Sequence, residues 1–393
     1  MKVICDRGAL LDAVNLVSGV VAARTPRPQL QCVKLTARKT GKVSELTLAA
    51  TDAEISLRLA TSHVDVQEPG EALIPAHDLR GIISAEDGDS TLTIETEEDA
   101  CKITGADAKF KVFGYPAADF PPVPDFEKVV SGKDPALKAK TVITQHAGTL
   151  ATMISRTLFA TARENSRYAI NGVLLRREGK KLEMVATDGR RLALCRHTIQ
   201  GGDKDAPTIS CIVPTKALSL LQKLIDDPEG QVQIAITDNQ ILFSVGSGED
   251  AASRAVLTSN LVEGTFPPYE EVIPKDQDKR VVFDRDVLSS AVRRAALLTN
   301  EESRGVRMKF SGSEKQVVVS SRAPEKGEAT IDVPVSSYEG TDIEIGFNPT
   351  FISDALKVIV DPQVIFELKA PNKPGLVKSG TDFMYVVMPV NLQ

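Results

Sequence analysis

Apolar residues recur at helical spacing at the start of three separate stretches of the chain. A repeat of three or four residues places such side chains on one face of a helix, so each stretch predicts an amphipathic helix. We expect these helices to end near residues 24–26, 163–165 and 299–301. The three apolar stripes are Leu10, Val14, Val17 and Val21, then Leu150, Ile154, Thr157, Leu158 and Thr161, then Leu288, Val292 and Ala295.

Alternating apolar and polar residues typical of strands follow each helix. Two of the strand pairs are joined by the same three residues, Ala50-Thr51-Asp52 in the first and Ala186-Thr187-Asp188 in the second. Gly189 follows the second copy, and glycine tolerates the positive φ that tight hairpin turns require. Residues 317–321 and 329–333 form a looser third pair. A helix and hairpin that recur about one domain length apart indicate an internal repeat.

A second helix is predicted in each repeat, because a proline stands in or just before its first turn at residues 74–79, 213–218 and 348–352. The proline-rich segments 115–121 and 264–269 cannot continue a central strand, so they predict surface linkers after the first two repeats. We therefore predict an α+β protein of three repeated domains, each with two helices and antiparallel strands. The expected boundaries are 1–126, 138–262 and 263–393.

The composition fits a soluble globular protein of several domains, with 393 residues, 42% hydrophobic and 25% charged. No apolar run approaches the ~18–20 residues that span a bilayer, and the first residues do not resemble a secretory signal. The five cysteines are scattered and form no CxxC pair. They are expected to be reduced, mostly buried thiols of a cytoplasmic protein.

The formal net charge is −6, yet cations recur on the helices away from the apolar stripes. Each one alone could belong to an ordinary solvated helix face. Their repetition in an acidic chain instead predicts a local basic surface that suits a phosphate backbone without reading sequence. The cations are Arg24 and Arg27 just past the first helix, Arg80, Arg156, Arg163, Lys216, Lys223, Arg293, Arg294 and Lys357.

Nothing in the sequence predicts a catalytic or metal centre. The four histidines lie far apart, cysteine spacing gives no zinc site, and neither a GxSxG elbow nor a GxxxxGK[ST] loop occurs. Asp52 and Asp188 stand in hairpin turns, where aspartate usually accepts hydrogen bonds from the local backbone. We therefore expect no catalysis, no cofactor and no bound metal.

Several motifs together resemble the bacterial DNA polymerase sliding clamps, the β subunits of the replicative DNA polymerase III. The resemblance covers all three repeats in order. It is carried by residues 186–194 (ATDGRRLAL), 116–121 (PAADFP), 300–307 with Asn-Glu and Arg-Gly-Val-Arg, 345–348 (IGFN) and 385–389 (YVVMP).

The resemblance implies a non-catalytic processivity factor. In that family two chains close head to tail into a ring of six domains, with twelve helices around the hole and sheets outside. Duplex DNA would pass through the hole and be held without sequence preference. The replicative polymerase, the clamp loader and repair proteins would each insert a short peptide motif into one hydrophobic cleft. No membrane partner is implied.

The resemblance also implies which residues act. Arg24 matches a DNA-contact position, and Tyr168 matches another; Arg167, which precedes Tyr168, is predicted to contact DNA with it. The positions that match the peptide cleft are Ile170, Thr187, Gly189, Arg190, Arg191, Leu192, Pro267, Val272, Val386, Met388, Pro389 and Val390. The positions that match the dimer interface are Phe110 and Val112 against Leu297 and Leu298, with Lys109, Lys111 and Glu301 as rim charges.

Two other functions stay open at the level of sequence. One is a scaffold of repeated domains that gathers peptide partners without DNA. The other is a carbohydrate- or nucleotide-processing enzyme that uses the repeated Thr-Asp turns. Retention on circular but not linear DNA separates a clamp from a scaffold, and turnover that an Asp188→Asn variant abolishes would favour the enzyme.

Overall fold

The structure is a computed structural model that describes residues 1–88, 90–97, 100–162, 170–200, 204–246, 254–299 and 305–391. Within these ranges the chain is α+β, as the sequence predicted, with long antiparallel sheets and short helices. The helices are α1 (Arg7–Ser18), α2 (Ala76–Ala85), α3 (Phe126–Val130), α4 (Ala147–Leu158), α5 (Thr215–Leu224), α6 (Arg285–Ala296) and α7 (Pro349–Val358). Short 3₁₀ turns are formed by Pro28–Gln31, Ala117–Asp119 and Tyr269–Glu271.

Some strands, among them Val306–Ser311 and Gln363–Leu368, alternate in burial as expected for sheets with one face packed against helices, whereas others, such as Gln240–Val245, are buried nearly throughout. The strands are β1 (Lys2–Asp6), β2 (Cys32–Thr40), β3 (Val43–Thr51), β4 (Ile55–Thr61), β5 (Val64–Glu68), β6 (Gly70–Pro75), β7 (Thr91–Glu97), β8 (Ala100–Thr104), β9 (Lys109–Phe113), β10 (Thr141–His146), β11 (Gly172–Glu178), β12 (Lys181–Thr187), β13 (Arg191–Thr198), β14 (Ile209–Pro214), β15 (Gln231–Ile236), β16 (Gln240–Val245), β17 (Ala255–Asn260), β18 (Lys279–Asp284), β19 (Val306–Ser311), β20 (Gln316–Ala323), β21 (Gly327–Pro334), β22 (Ser337–Glu339), β23 (Ile343–Phe347), β24 (Gln363–Leu368), β25 (Gly375–Ser379) and β26 (Phe383–Val387).

The chain divides into two compact units. The first consists of residues 1–151 and 216–261, and it holds two sheets. One sheet has the order β5-β1-β7-β8-β9, and the other has the order β10-β15-β16-β17-β4-β3-β2-β6. The longer sheet is continuous because β17 pairs with β4, with Ala255 opposite Leu59 and Ser259 opposite Ile55. Helix α1 packs against α2 and covers β3 and β4.

The second unit consists of residues 152–215 and 262–393 and has the same plan. Its long sheet has the order β14-β11-β12-β13-β26-β25-β24-β18-β22, and its short sheet has the order β21-β20-β19-β23. Here β13 pairs with β26, with Arg191 opposite Val387 and Cys195 opposite Phe383. Helix α6 packs against α7 and against β20 and β21. In each unit, one cross-strand pairing joins strands from distant parts of the chain into a single sheet.

The first helix of each repeat ends earlier than the apolar stripes predicted, at Ser18, Leu158 and Ala296. The physical reason is the same in all three. The backbone N–H groups that follow bond back three residues instead of four, which tightens the last turn and stops the helix. These bonds run from Gly19 to Leu16 and Val20 to Val17, from Ala160 to Thr157 and Thr161 to Leu158, and from Leu298 to Ala295 and Thr299 to Ala296.

The proline-rich segments differ in part from the predicted surface linkers, because each is attached to a core by a buried aromatic ring. Phe120 packs with Cys32 and Leu73 in the first unit. Tyr269 packs on the long sheet of the second unit. All five cysteines are buried and free, as expected, and burial raises the pKa of the Cys195 thiol to about 11. Among the described residues, no helix is both long enough and apolar enough to cross a membrane.

Candidate functional site: an apolar groove and basic helix faces

The turn between β12 and β13 is held by its own side chains. The Thr187 hydroxyl donates to the Arg191 carbonyl (2.7 Å) and accepts from the Gly189 N–H (3.1 Å). Asp188 Oδ1 accepts from the backbone N–H groups of Arg190 (2.9 Å) and Arg191 (3.0 Å). Gly189 has φ +85°, where a side chain would be strained. The turn is therefore rigid, and it presents Gly189 and Arg190 to solvent.

The segment after β26 continues from this turn to the short sheet. The N–H of Met388 donates to the carbonyl of Arg190 (2.9 Å), and the N–H of Val390 donates to the carbonyl of Gly346 in β23 (2.9 Å). Pro389 between them is half-buried, and 43% of the Met388 surface is exposed. A flexible thioether held at an exposed position suits an adaptable apolar contact.

One face of the long sheet of the second unit carries an apolar cluster. Its buried members are Leu174, Val185, Leu192, Leu194, Ile212, Tyr269, Leu376 and Val386. Val262, Phe266, Ile273 and Met384 pack against it. The segment 262–273 therefore lies over this face and carries the half-buried Pro267 and Val272, which is 53% exposed. Exposed aliphatic groups beside a buried apolar cluster are the side chains that suit the anchors of a peptide, and this face with its exposed rim is called the groove below.

The structure thus brings together most of the predicted cleft residues. Leu192 and Val386 belong to the floor, while Arg190 and Met388 are joined by a backbone hydrogen bond. Ile170 is buried, and its carbonyl accepts from the N–H of Ala162 (3.0 Å).

The side chain of Arg191 lies away from the predicted cleft, although its position was predicted to belong to it. It points to the opposite face from Leu192 because successive strand residues alternate. There it donates to Asp188 (3.0 Å), Asp354 (2.9 Å) and the Phe159 carbonyl (2.8 Å). Its guanidinium also lies over the rings of Phe351 (4.5 Å) and Phe159 (5.5 Å). With 10% of the side chain exposed, Arg191 fixes the turn to α7 instead of facing the groove.

The same surroundings set the pKa of Arg191. Burial by itself would lower this pKa, but the hydrogen bond to Asp354 and the other nearby acceptors more than compensate and raise it. The cation is therefore permanent, and it holds two carboxylates.

Basic side chains are exposed on helices and turns of each unit. In the first unit these are Arg24, Arg27, Arg80, Lys216 and Lys223. Two of them have partners: Arg80 donates to Asn15 (2.7 Å), and Lys216 forms an ion pair with Asp52 (2.6 Å). In the second unit Arg293, Arg294 and Lys357 are exposed, and Lys357 lies 3.3 Å from Asp354. The predicted contacts Arg163, Arg167 and Tyr168 lie outside the described residues.

Arg156 was predicted on an exposed helix face, and this prediction is wrong. Its side chain is 7% exposed and donates to Asp382 (2.7 Å). The guanidinium also lies 5.5 Å from the centre of the Phe383 ring. The face of α4 that carries Arg156 lies toward β26. The charge of Arg156 is therefore neutralised inside the protein and is not available to bind a phosphate.

The predicted interface residues are distributed over both units, and each unit presents its own part. In the first unit β9 is the edge strand of its sheet and carries Lys109, Phe110, Lys111 and Val112. A groove of about 710 Å³ separates it from α2, and Phe113 at its end is 75% exposed. In the second unit Leu297 is 71% exposed and Leu298 is half-buried, while Glu301 lies outside the described residues.

One buried carboxylate was missed at the sequence level. Glu183 on β12 accepts from Arg196 (2.6 Å), Lys181 (3.0 Å) and the Tyr269 hydroxyl (3.1 Å). Burial raises the pKa of Glu183, but these donors together outweigh it and hold the pKa below its usual value of 4.5. A lone acid inside the apolar run Leu182-Glu183-Met184-Val185 was the signal in the sequence. Across the described ranges, no cluster of three or more His, Cys, Asp or Glu residues could hold a metal ion.

Comparison with known proteins gives consistent matches along the whole chain. Three family profiles match in succession: the N-terminal domain of the DNA polymerase III beta subunit over residues 1–124, its central domain over 145–268 and its C-terminal domain over 270–391. The beta sliding clamp of Pseudomonas aeruginosa is 35% identical over 98% of this chain and 99% of its own length. The beta sliding clamp of Escherichia coli K12 is 30% identical, with both chains fully covered.

Solved structures show the same similarity in three dimensions. The DNA polymerase III subunit beta from Pseudomonas aeruginosa matches with a TM-score of 0.85 at 35% identity, and both chains are covered completely. A sliding clamp from the same organism, bound to griselimycin, matches with a TM-score of 0.87 and the same coverage.

Proposed function

Because this chain belongs to the family of DNA polymerase III β subunits it is a β sliding clamp, and we propose that two copies form a ring around duplex DNA. The observation that carries the proposal is the likeness over the full length to solved clamps, at a TM-score of 0.85 and complete coverage of both chains. The ring has no catalytic role. It tethers the replicative polymerase, the clamp loader and repair proteins to DNA in the cytoplasm.

The edges and apolar groups of each unit support ring closure. Strand β9 carries Phe110 and Val112 at a sheet edge, and β21 is the edge of the short sheet in the other unit. Leu297 exposes 71% of its surface. A head-to-tail contact that closes after two copies would cover both edges and bury these side chains. Ion pairs that Lys109 and Lys111 form with acidic residues of the second copy would add only ~0–1 kcal/mol each. The apolar groups should therefore carry the affinity between the two copies.

The exposed cations support a weak hold on DNA. Arg24, Arg27 and Lys223 in one unit and Arg293 and Arg294 in the other are on the surface. Such groups neutralise phosphates without distinguishing bases, which allows a ring to slide. Arg156, which is neutralised by Asp382, plays no part in this hold.

The groove of the second unit is proposed as the peptide cleft. Leu192 and Val386 form its floor, Val272 and Met388 its exposed apolar rim, and Arg190 its exposed charge. The griselimycin complex of the related clamp from Pseudomonas aeruginosa supports a ligand site of this kind in the family.

Retention on DNA tests the central proposal. The protein is loaded onto nicked circular DNA by a compatible clamp loader and then passed through a sizing column, before and after one restriction cut. A ring stays with the circle and is lost from the linear molecule. Equal loss from both would instead favour the scaffold that works without DNA.

The seam is tested by introducing charge. Leu297→Asp with Leu298→Asp should give folded monomers in analytical ultracentrifugation, because two carboxylates would be buried in an apolar contact. Val360→Asp is the matched control, since Val360 is 78% exposed in the same unit and lies outside the proposed seam. A dimer in the double variant would refute the seam.

The cleft is tested by truncation. Removal of Met388–Gln393 takes away one rim of the groove and the bond to the Arg190 carbonyl. Griselimycin binding measured by calorimetry should be lost while the dimer persists. Unchanged affinity would place the ligand elsewhere.

A further inference from the structure

The segment that forms one wall of the groove has few attachments to the sheet beneath it. Among the described residues, its backbone hydrogen bonds to the rest of the unit are at its ends. Val262 donates to Ile212 (2.9 Å), and Asp278 donates to Leu368 (3.1 Å). Between them the 3₁₀ turn is internal, with Val272 bonded to Tyr269 (3.2 Å). Side chains must therefore fix the position of Pro267 and Val272.

Tyr269 is the side chain best placed to do so. It is 6% exposed, and its ring packs edge-on against Phe266, with 6.2 Å between centroids, inside the apolar cluster. Its hydroxyl donates to Glu183 Oε2 (3.1 Å) in β12. Arg176 in β11 lies 3.4 Å from the same hydroxyl and also donates to Glu270 (2.8 Å), the next residue of the wall.

Glu183 is itself held in place, which makes this anchor rigid. Its side chain is 5% exposed, and Arg196 (2.6 Å) and Lys181 (3.0 Å) both approach Oε1. Oε2 is thereby left to the tyrosine hydroxyl. A buried carboxylate that lacks hydrogen-bond donors costs free energy. The three donors therefore favour the one position of the Glu183 side chain in which all of them reach it. The hydroxyl of Tyr269 is thus joined to three neighbouring strands, through Arg176 on β11, Glu183 on β12 and Arg196 on β13.

We propose that Tyr269 and Glu183 are a positioning pair, which fixes the wall residues Pro267 and Val272 at the width that a bound peptide requires. Neither side chain contacts the peptide. The pair acts by preorganisation: a wall already in place loses less conformational freedom when the ligand binds. The inference rests on the proposed function, because it assumes that the groove is the peptide cleft.

The test compares Tyr269→Phe with the unmodified protein, using griselimycin as the ligand. The variant keeps the ring and loses only the hydroxyl, whose hydrogen bond to a charged carboxylate corresponds to a factor of about ten or more in an equilibrium constant. We expect griselimycin affinity to fall by about that factor while the dimer is unchanged. Tyr338→Phe is the matched control, because it also removes a hydroxyl that donates a hydrogen bond, in this case to the backbone carbonyl of Thr341 (2.6 Å), away from the groove. The control should bind griselimycin normally.

A double-mutant cycle separates positioning from general loss of stability. Glu183→Leu should weaken griselimycin binding, and adding Tyr269→Phe should cause little further loss, since the shared bond is already gone. Two independent losses that multiply would contradict the pairing.

Fluorescence gives a second readout that needs no ligand. The chain has no tryptophan, so a Val272→Trp variant carries the single indole, on the wall itself. Adding Tyr269→Phe should shift its emission to the red and increase acrylamide quenching, and adding Tyr338→Phe should not.

The outcomes distinguish the two claims. If the unmodified protein does not bind griselimycin, the cleft assignment fails, whereas the indole still reports whether Tyr269 holds the wall. If the unmodified protein binds and Tyr269→Phe binds equally well with an unshifted indole, the positioning pair is refuted.

Discussion

The two Ala-Thr-Asp turns, one in each unit, have the same internal structure and different surroundings. In the first, the Thr51 hydroxyl donates to the Ile55 carbonyl (2.8 Å), and Asp52 Oδ1 accepts from the N–H groups of Glu54 (3.0 Å) and Ile55 (2.7 Å). Thr187 and Asp188 make the equivalent bonds in the second. Ala53 has φ +78° where Gly189 has φ +85°. Local sequence is therefore sufficient to specify the turn.

The two turns differ in the basic side chain that pairs with the aspartate. Asp52 accepts from Lys216, whose side chain is 45% exposed. Asp188 accepts from Arg191, which is 10% exposed and also reaches Asp354 and the Phe159 carbonyl. A buried cation with several partners makes the second turn a fixed support, whereas the first has a solvated ion pair. The same motif is therefore held rigidly in the second unit, where we propose the peptide cleft, and only by an exposed lysine in the first.

Two short segments at or beyond the ends of the proline-rich linkers differ in a similar way between the units. Phe126-Glu127-Lys128-Val129 in the first unit resembles Tyr269-Glu270-Glu271-Val272 in the second. Val129 is fully buried on its sheet, while Val272 is 53% exposed. The first unit covers its own apolar face with α3, and the second leaves an edge of that face accessible. This difference explains why we place a groove in the second unit.

The largest expected effect is that of Val129→Asp. It would bury an unpaired carboxylate among Phe126, Ala235 and Leu242, at a cost of several kcal/mol. Differential scanning calorimetry should show a strongly lowered transition. Val272→Asp should leave this transition unchanged and weaken griselimycin binding at least tenfold. Similar melting of the two variants would contradict the contrast between the covered and open faces.

Arg191→Ala should have the second-largest effect on stability. Among the described residues, removal of the cation leaves Asp188 without an ion-pair partner and Asp354 with only the exposed Lys357. Breaking a buried pair of this kind costs about 3–5 kcal/mol. The melting temperature should fall on the order of 10 °C. Lys216→Ala, its counterpart in the first unit, should cost no more than about 1 kcal/mol because the lysine side chain is 45% exposed. Equal shifts would mean that the two turns are supported alike.

Replacement of the residue at positive φ should change the stability moderately, and in opposite directions in the two turns. Gly189→Ala has space for the new Cβ but strains the backbone, at about 1–2 kcal/mol. Ala53→Gly relieves that strain and should be neutral or slightly stabilising. Thermal melts of both variants check the signs, and a stabilised Gly189→Ala would show that the second turn rearranges.

The smallest expected effect on stability is that of replacing the threonine in each turn, and it should be equal in the two turns. Thr51→Val and Thr187→Val each remove a hydroxyl that bonds the same two backbone groups, worth about 1 kcal/mol apiece. Matching decreases in melting temperature would confirm that the turns share one local design. A cost confined to Thr187 would assign that hydroxyl a further role in the groove.

The sequence by itself determined the repeat. Helical stripes, the Thr-Asp turns and the prolines at the start of α2, α5 and α7 depend on contacts within a few residues, so these elements could be predicted in their order, although the C-terminal ends of α1, α4 and α6 were placed too late. The domain boundaries at 126, 138 and 262 stay predictions. The resemblance of the Ala-Thr-Asp-Gly-Arg-Arg and Tyr-Val-Val-Met-Pro motifs also identified the family.

Only the tertiary structure decided which polar groups are available. Nothing in the local sequence distinguishes Arg156 or Arg191 from Arg293. In the structure Arg156 pairs with Asp382 and Arg191 pairs with Asp354. Arg293, by contrast, is exposed. Glu183 and Tyr269 are 86 positions apart and meet across the sheet. Partners so distant in sequence are brought together by the pairing of β13 with β26 and the path of the linker. No local pattern encodes that approach, because it depends on how complete strands pack.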